Sequence, residues 1–246
     1  MQCEIMSTLS HRIAVVSGAS SGIGKAIALG LAEEGARLRL IGRQSTALEA
    51  VAECARSQCP EVLTYQTELT DDAEVEQLKK YLQRDCDGID MLVHSAGIIS
   101  RGPLATASVS ELDRQFRTNV RAPYLLTQTL LPMLLTQRGQ IVFINSSMGL
   151  TTQANLSQYA ATKHALKAIA DSLRAEVNAH GLRVLSVYPG RTATPQQSVI
   201  HQAEGRPYAP HLLMQPEDIA TIVIHALKTA RTADVTDIIM RPFHKT

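Results

Sequence analysis

Short, continuous apolar runs separated by longer segments of helical spacing recur along this chain, and that alternation leaves few folds open. The runs are Arg12–Ser17, Arg37–Ile41, Glu61–Gln66, Ile89–His94, Gln140–Asn145, Arg183–Tyr188 and Val235–Met240. They are rich in β-branched residues and do not alternate with polar ones, as expected of strands covered on both faces. Between them, Ala26–Glu34, Ala47–Arg56, Asp72–Arg84, Glu111–Leu135, Gln158–Ala179 and Glu217–Thr229 carry helical spacing and strong helix formers. Strand–helix–strand repetition gives right-handed crossovers and parallel pairing. The expected fold is therefore α/β: a doubly wound, mostly parallel sheet of about seven strands with helices on both faces.

No linker, low-complexity tract or internal repeat divides the chain, so residues 1–246 read as a single domain. Hydrophobic residues make up 45% of it, enough to bury a substantial core. One segment breaks the alternation. Pro189, Pro195, Pro207 and Pro210 crowd the stretch before Pro216, and the sequence predicts a long loop over about 191–214. A loop of that length in a compact domain is a lid or a disordered stretch.

The charge balance excludes several function classes. With 24 basic and 23 acidic residues the formal net charge is +1, which calls for neither nucleic acid nor an anionic membrane surface as partner. No stretch approaches the ~18 consecutive apolar residues of a membrane span. The segment Met1–His11 lacks the basic start and apolar run of a signal peptide, so a cytoplasmic location is expected. Cys3, Cys54, Cys59 and Cys86 form no C-x-x-C pair and no metal-ligand spacing; they read as free thiols, with no metal site.

The first strand runs into Ser17-Gly18-Ala19-Ser20-Ser21-Gly22-Ile23-Gly24 and then into a helix. Glycines let the backbone turn tightly and approach a pyrophosphate, and the helix N-terminus offers N–H donors and a favourable dipole. The spacing differs from the G-x-G-x-x-G of many dinucleotide folds, and a tight turn without ligand is the bland alternative. The second strand ends in Ile41-Gly42-Arg43. A carboxylate there suits the ribose 2′-hydroxyl of NAD, whereas a guanidinium suits a 2′-phosphate. NADP(H) is therefore favoured over NAD(H).

Tyr159 and Lys163 stand at i, i+4 on one predicted helix face, with Ser146 upstream. A free phenol titrates near ~10, and an ammonium one helical turn away is expected to lower that value. Such a pair suits proton delivery to a carbonyl oxygen.

Ser17-Gly18-x-x-x-Gly22-Ile23-Gly24, His94-Ser95-Ala96-Gly97, Asn119, Ser146, Tyr159-x-x-x-Lys163 and Pro189-Gly190 occur in the order found in the short-chain dehydrogenase/reductase family, which the chain resembles in its single-domain branch. The resemblance spans most of the chain. It implies a Rossmann-like fold and interconversion of a carbonyl and a secondary alcohol. Tyr159 is then the proton donor and acceptor, Ser146 rather than Ser147 holds the substrate oxygen, Lys163 also bonds the nicotinamide ribose, and Asn119 holds a water in a proton relay. It further implies cofactor contacts from Gly18, Ser20, Ser21, Gly22, Ile23, Gly24 and Arg43, from Ser95, Ala96 and Gly97, and from Pro189, Gly190, Thr192 and Thr194, with the segment beyond covering the substrate. The family is usually dimeric or tetrameric, so a homodimer or homotetramer is expected.

Three departures from the family pattern stand out. Glu68, followed by Leu69, replaces an aspartate that meets the adenine. His94-Ser95 replaces two asparagines, and His94 reads as a packed or backbone-bonded histidine rather than a metal ligand or catalytic base. Ser17 replaces a threonine but keeps its hydroxyl. Arg191, His201, Arg206 and Tyr208 lie in or beside the 191–214 segment, and Ser100 and Arg101 follow the fourth strand. A cationic pocket for an acidic or phosphorylated substrate and a set of solvated charges are both compatible with that pattern. A catalytically silent NADP(H)-binding sensor or scaffold on the same fold is the alternative function.

Overall fold

The computed structural model describes residues 9–244. Cys3, and the part of the Met1–His11 segment before Leu9, lie outside the described residues. The strands are β1 (Ile13–Ser17), β2 (Arg37–Gly42), β3 (Val62–Gln66), β4 (Met91–His94), β5 (Gln140–Ile144), β6 (Arg183–Pro189) and β7 (Asp237–Met240). All neighbours pair in parallel, in the order β3-β2-β1-β4-β5-β6-β7. The winding direction reverses between β1 and β4, so the crevice at the carboxyl ends of these two strands is the natural ligand site.

The helices are α1 (Gly22–Glu33), α2 (Ser45–Arg56), α3 (Asp72–Asp85), α4 (Val109–Phe116), α5 (Ala122–Thr136), α6 (Ser157–Val177), α7 (Pro195–Ala203) and α8 (Pro216–Lys228). Successive strand residues serve opposite cores. Val16, Leu40, Val93, Val142 and Val187 pack with α1, α2 and α8, while Val15, Leu92, Ile141, Phe143 and Val184 pack with α3, α5 and α6. Burial on both faces explains why these strands read as continuous apolar runs. Among the described residues, no helix is long and apolar enough to cross a membrane.

Two expectations need correction. The continuous helix predicted over Glu111–Leu135 is interrupted by a π-helical turn, Arg117–Arg121, between α4 and α5. Pro123 explains part of the break: it has no N–H for the carbonyl of Asn119, its α-helical partner. The 191–214 segment is not simply a loop. Thr194 caps α7 by accepting from the N–H of Gln197 at 3.2 Å, Pro195 opens the helix, and Pro210–Leu212 form a 3-10 turn. Threonine at the cap followed by proline at the first helical position is a strong start signal, which outweighs the proline count.

Candidate active site

The turn after β1 puts backbone where side chains would normally stand. Gly18 has φ +67°, and a Cβ there would lie 2.7 Å from the amide nitrogen of Ala96. Gly24 is tighter still, because its Cβ would meet the carbonyl oxygen of Gly18. These glycines bring β1, α1 and the Ser95-Ala96-Gly97 turn into direct backbone contact. Ser17 ties the same turns together: its hydroxyl donates to the Val93 carbonyl at 3.3 Å and accepts from the N–H of Ser95 at 3.2 Å. The N-cap of α1, Ser21, makes no side-chain cap bond, and the first turn holds no acidic residue. The N-terminus of α1 thus faces the crevice with its amide donors, the arrangement that binds a pyrophosphate.

A cavity of about 380 Å³ runs from this turn across the carboxyl ends of the strands. At one end its lining includes Ser20, Arg43, Glu68 and Leu69. Arg43 is largely exposed, and its guanidinium lies 3.7 Å from the Glu68 carboxylate. That carboxylate also accepts from the Thr70 N–H and hydroxyl, at 3.1 and 2.9 Å. In the middle, the lining includes Gly22, Ile23, Ser95, Ala96 and Gly97. Pro189, Gly190, Thr192 and Thr194 complete this part of the wall. Thr192 is buried, and its hydroxyl turns back to the Gly190 carbonyl at 3.1 Å. The methyl group of Thr194 sits against Gly22 at the start of α1. Gly24 is the one expected cradle residue absent from the lining; it acts by packing.

Ser146, Tyr159 and Lys163 share the same cavity. The Lys163 ammonium lies 5.7 Å from the centroid of the Tyr159 ring and donates to the Ile144 carbonyl at 3.2 Å. Burial lowers the Lys163 pKa to about 8. The expected lowering of Tyr159 does not occur. Burial raises the phenol above its ordinary value, and a hydrogen bond with Ser146 only partly offsets this. Desolvation of a weak acid favours its neutral form, and here it prevails. Ser146 also accepts from the Met148 N–H at 3.2 Å, which fixes its hydroxyl at the end of β5.

Asn119 is buried in the π-helical turn and clamps Ile98. Its Oδ1 accepts from the Ile98 N–H at 2.9 Å, and its Nδ2 donates to the Ile98 carbonyl at 2.8 Å and to Thr162 Oγ1 at 3.1 Å. Gly97, next to Ile98, faces both the Asn119 carboxamide and the Lys163 ammonium. Asn119 therefore fixes the β4 turn to α6, beside the lysine. His94 is a packed residue: its ring stacks on Phe143 with centroids 4.8 Å apart, and Nε2 lies 2.8 Å from the Thr127 hydroxyl. Burial lowers its pKa to about 3, so it is neutral at pH 7.

Sequence reasoning missed Asn145. Its Oδ1 accepts from the Ser146 N–H at 2.9 Å, and its Nδ2 donates to the Lys163 carbonyl at 3.1 Å. Only the proximity of β5 to α6 reveals this role, although Gly149 is an indirect signal. A Cβ on Gly149 would stand 2.6 Å from Asn145 Oδ1 and 3.0 Å from the Lys163 carbonyl oxygen. Also missed as wall residues are Met148, Leu156, Gln153 and Ile200.

The charges around the 191–214 segment converge. Arg191 forks onto Glu204, with Nη1 to Oε2 and Nη2 to Oε1 both at 2.9 Å. Arg101 pairs with the same carboxylate, and Arg206 lies 3.7 Å from it. Burial raises the Glu204 carboxyl, but the fork from Arg191 and the charges of Arg101 and Arg206 more than offset this, leaving it below the usual carboxylate value. His201 is buried, within 3.1 Å of the Gln197 side chain, and packs edge-on to Tyr208.

Comparison with known proteins bears on the family. The sequence profile of the short chain dehydrogenase family matches residues 12–205. Glycine betaine reductase ATRR of Emericella nidulans is 35% identical over 95% of this chain, which spans only 19% of that longer protein. An uncharacterized oxidoreductase of Staphylococcus aureus is 32% identical over 96% of this chain and 100% of its own length. A metagenomic short-chain oxidoreductase, solved in complex with NADP, superposes with a TM-score of 0.83 at 29% identity, covering 97% of this chain and 100% of the other. With its Rossmann-like parallel sheet and a family profile matching most of its length, this chain belongs to the short chain dehydrogenase family of oxidoreductases.

Proposed function

We propose that the protein is an NADP(H)-dependent oxidoreductase that interconverts a carbonyl and a secondary alcohol. The observation that carries this reading is the convergence of Ser146, Tyr159 and Lys163 on the cavity that begins at the N-terminus of α1. A bound nicotinamide supplies or takes the hydride. Ser146 hydrogen-bonds the substrate oxygen, and Tyr159 gives it a proton in reduction and takes one back in oxidation. The raised phenol is protonated at neutral pH, as a donor has to be. Lys163 bonds the nicotinamide ribose and resupplies Tyr159 with a proton. Asn119 would hold the relay water beside it through the main-chain carbonyl that Pro123 leaves without an α-helical partner.

At the far end, Arg43 stands free enough of the fold to close on a 2′-phosphate, since its pairing with Glu68 is long and exposed. The solved NADP complex of a 29% identical relative supports the same choice. A dimer or tetramer through α4, α5 and α6 fits the exposed side chains of Val109, Phe116 and Tyr124. A reducing, cytoplasmic compartment fits the exposed free thiol of Cys54.

The test is nicotinamide oxidation across a panel of carbonyl compounds, with NADPH and NADH side by side. Turnover with NADPH, and a rise of about tenfold or more in its KM in Arg43→Ala with little change for NADH, is the expected result. Equal use of NADH would overturn the cofactor assignment. Tight NADPH binding without turnover of any panel member would favour the sensor reading.

A further inference from the structure

The cavity carries more positive charge than its own chemistry uses, and the excess sits at one place. Arg101 leaves the turn after β4, and Arg191 leaves the end of β6. Both line the cavity shared with Tyr159 and Lys163. Ile99, two residues before Arg101, packs against the same cluster of Met148, Leu156 and Ala160 as Tyr159 does.

The two arginines meet on Glu204, just past α7, with Arg206 in support. Arg101 and Arg191 are each only 24% exposed, so neither is a solvated surface charge. Three guanidiniums against one carboxylate leave the cluster with two formal positive charges unmatched. Among the described residues, Glu68 is the only acidic side chain lining the cavity, and it stands at the opposite end beside Arg43. Glu111, which reaches Ser100, is itself forked by Arg114. The neighbouring polar walls are the neutral amides of Gln153, Gln196 and Gln197.

Partly desolvated, unmatched guanidiniums favour an anionic ligand and disfavour a cationic one. Glu204 already demonstrates that their geometry accepts a carboxylate, two-pronged on Arg191. Each guanidinium has five N–H donors, so the pairing with Glu204 leaves others to offer.

We propose that the substrate is a carbonyl compound bearing a carboxylate, a keto acid reduced to a hydroxy acid, whose carboxylate is held by Arg101 and Arg191 while Glu204 keeps both arginines in place. This rests on the carbonyl-reductase reading above. In the reduction, hydride from NADPH reaches the carbonyl carbon and a proton from Tyr159 reaches its oxygen. The carboxylate takes no part in the bond changes.

The experiment compares pyruvate, acetoacetate and levulinate with their methyl esters. Turnover with NADPH is measured alongside calorimetric binding of each acid to protein with and without NADP⁺, where no hydride is available. The expected result is a kcat/KM for at least one acid about tenfold or more above that of its ester. Arg101→Gln and Arg191→Gln should each cut the acid-to-ester ratio by about tenfold or more, with NADP⁺ affinity as the check on folding. Glu204→Gln, which removes the carboxylate that holds both arginines, should raise KM for the acid and not for the ester, whereas a purely structural lesion would raise both.

Esters turned over as well as every acid, or arginine variants that lose acid and ester equally, would overturn the proposal and leave the reductase reading standing. Acid binding that Arg191→Gln abolishes, with no turnover of any compound, would sink the reductase reading and support the anion site. If no acid binds and none is turned over, the proposal is overturned.

Discussion

Asn145 holds Lys163 from behind: its Nδ2 donates to the lysine's main-chain carbonyl at 3.1 Å, while its Oδ1 accepts from the N–H of Ser146 at 2.9 Å. One buried carboxamide thus sets the spacing between the end of β5, which carries Ser146, and α6, which carries Tyr159 and Lys163. Gly149 is what lets the carboxamide lie there, since a Cβ would stand 2.6 Å from its oxygen.

Gly149→Ala should therefore act as a catalytic lesion at a distance. Displacing Asn145 leaves the Ser146 N–H without its buried partner, a loss of about 1–3 kcal/mol. The expected outcome is a lowered Tm and a fall in kcat of about tenfold or more, with NADPH affinity largely kept because the Gly18–Gly24 cradle is untouched. Asn145→Ala should give the same phenotype, and the double variant should be little worse than either single one. Calorimetric cofactor titration beside steady-state kinetics checks this.

Lys163 is retained at a cost to stability. Its pKa is lowered to about 8 by burial, below the ordinary lysine value of ~10.4, so the unfolded chain binds the extra proton between those two values. Its contribution to stability is fully present above the unfolded value and is lost as pH falls through about 8. At pH 7 the buried ammonium is a net burden. Lys163→Met should leave Tm unchanged or raised at pH 7 while turnover drops by about 10²-fold or more. A large fall in Tm would show that its bond to the Ile144 carbonyl outweighs the desolvation.

His94 should make the fold acid-sensitive. Its pKa is lowered to about 3 by burial, against ~6.5 unfolded, so the unfolded state takes up a proton that the native state refuses. The stability present above ~6.5 should fall as pH drops toward about 3, with a slope of about 1.4 kcal/mol per pH unit. Urea midpoints at pH 7 and pH 5, compared between the native chain and His94→Asn, read this out. The variant should lose less stability across that interval, whatever its stability at pH 7.

Much of this was legible in the sequence because its causes are local. Strands covered on both faces write themselves as continuous apolar runs, and the glycine turn is dictated by how closely β1, α1 and the Ala96 backbone approach. The Tyr159–Lys163 pair is a matter of helical spacing. Thr194-Pro195 is equally local: a capping threonine followed by proline marks the start of α7. What stayed hidden depends on contacts between distant segments. Asn145 acquires its role only where β5 meets α6. Arg39 sits in an apolar run but is buried, held by the Cys86 thiol, the Glu61 carboxylate and the Asp85 carbonyl. Glu204 joins arginines from two separate loops. The direction of the Tyr159 shift also follows from burial, which no spacing rule supplies.

The most direct measurement is NADPH oxidation by the native chain and by Tyr159→Phe, on the best carbonyl substrate found and with cofactor binding measured in parallel. Phenylalanine keeps the ring that lies 5.7 Å from the Lys163 ammonium and removes only the hydroxyl. The expected result is a loss in kcat of about 10²–10⁴-fold with NADPH affinity little changed. Turnover that survives in Tyr159→Phe would contradict the assignment of the phenol as proton donor, and with it the mechanism built on this site.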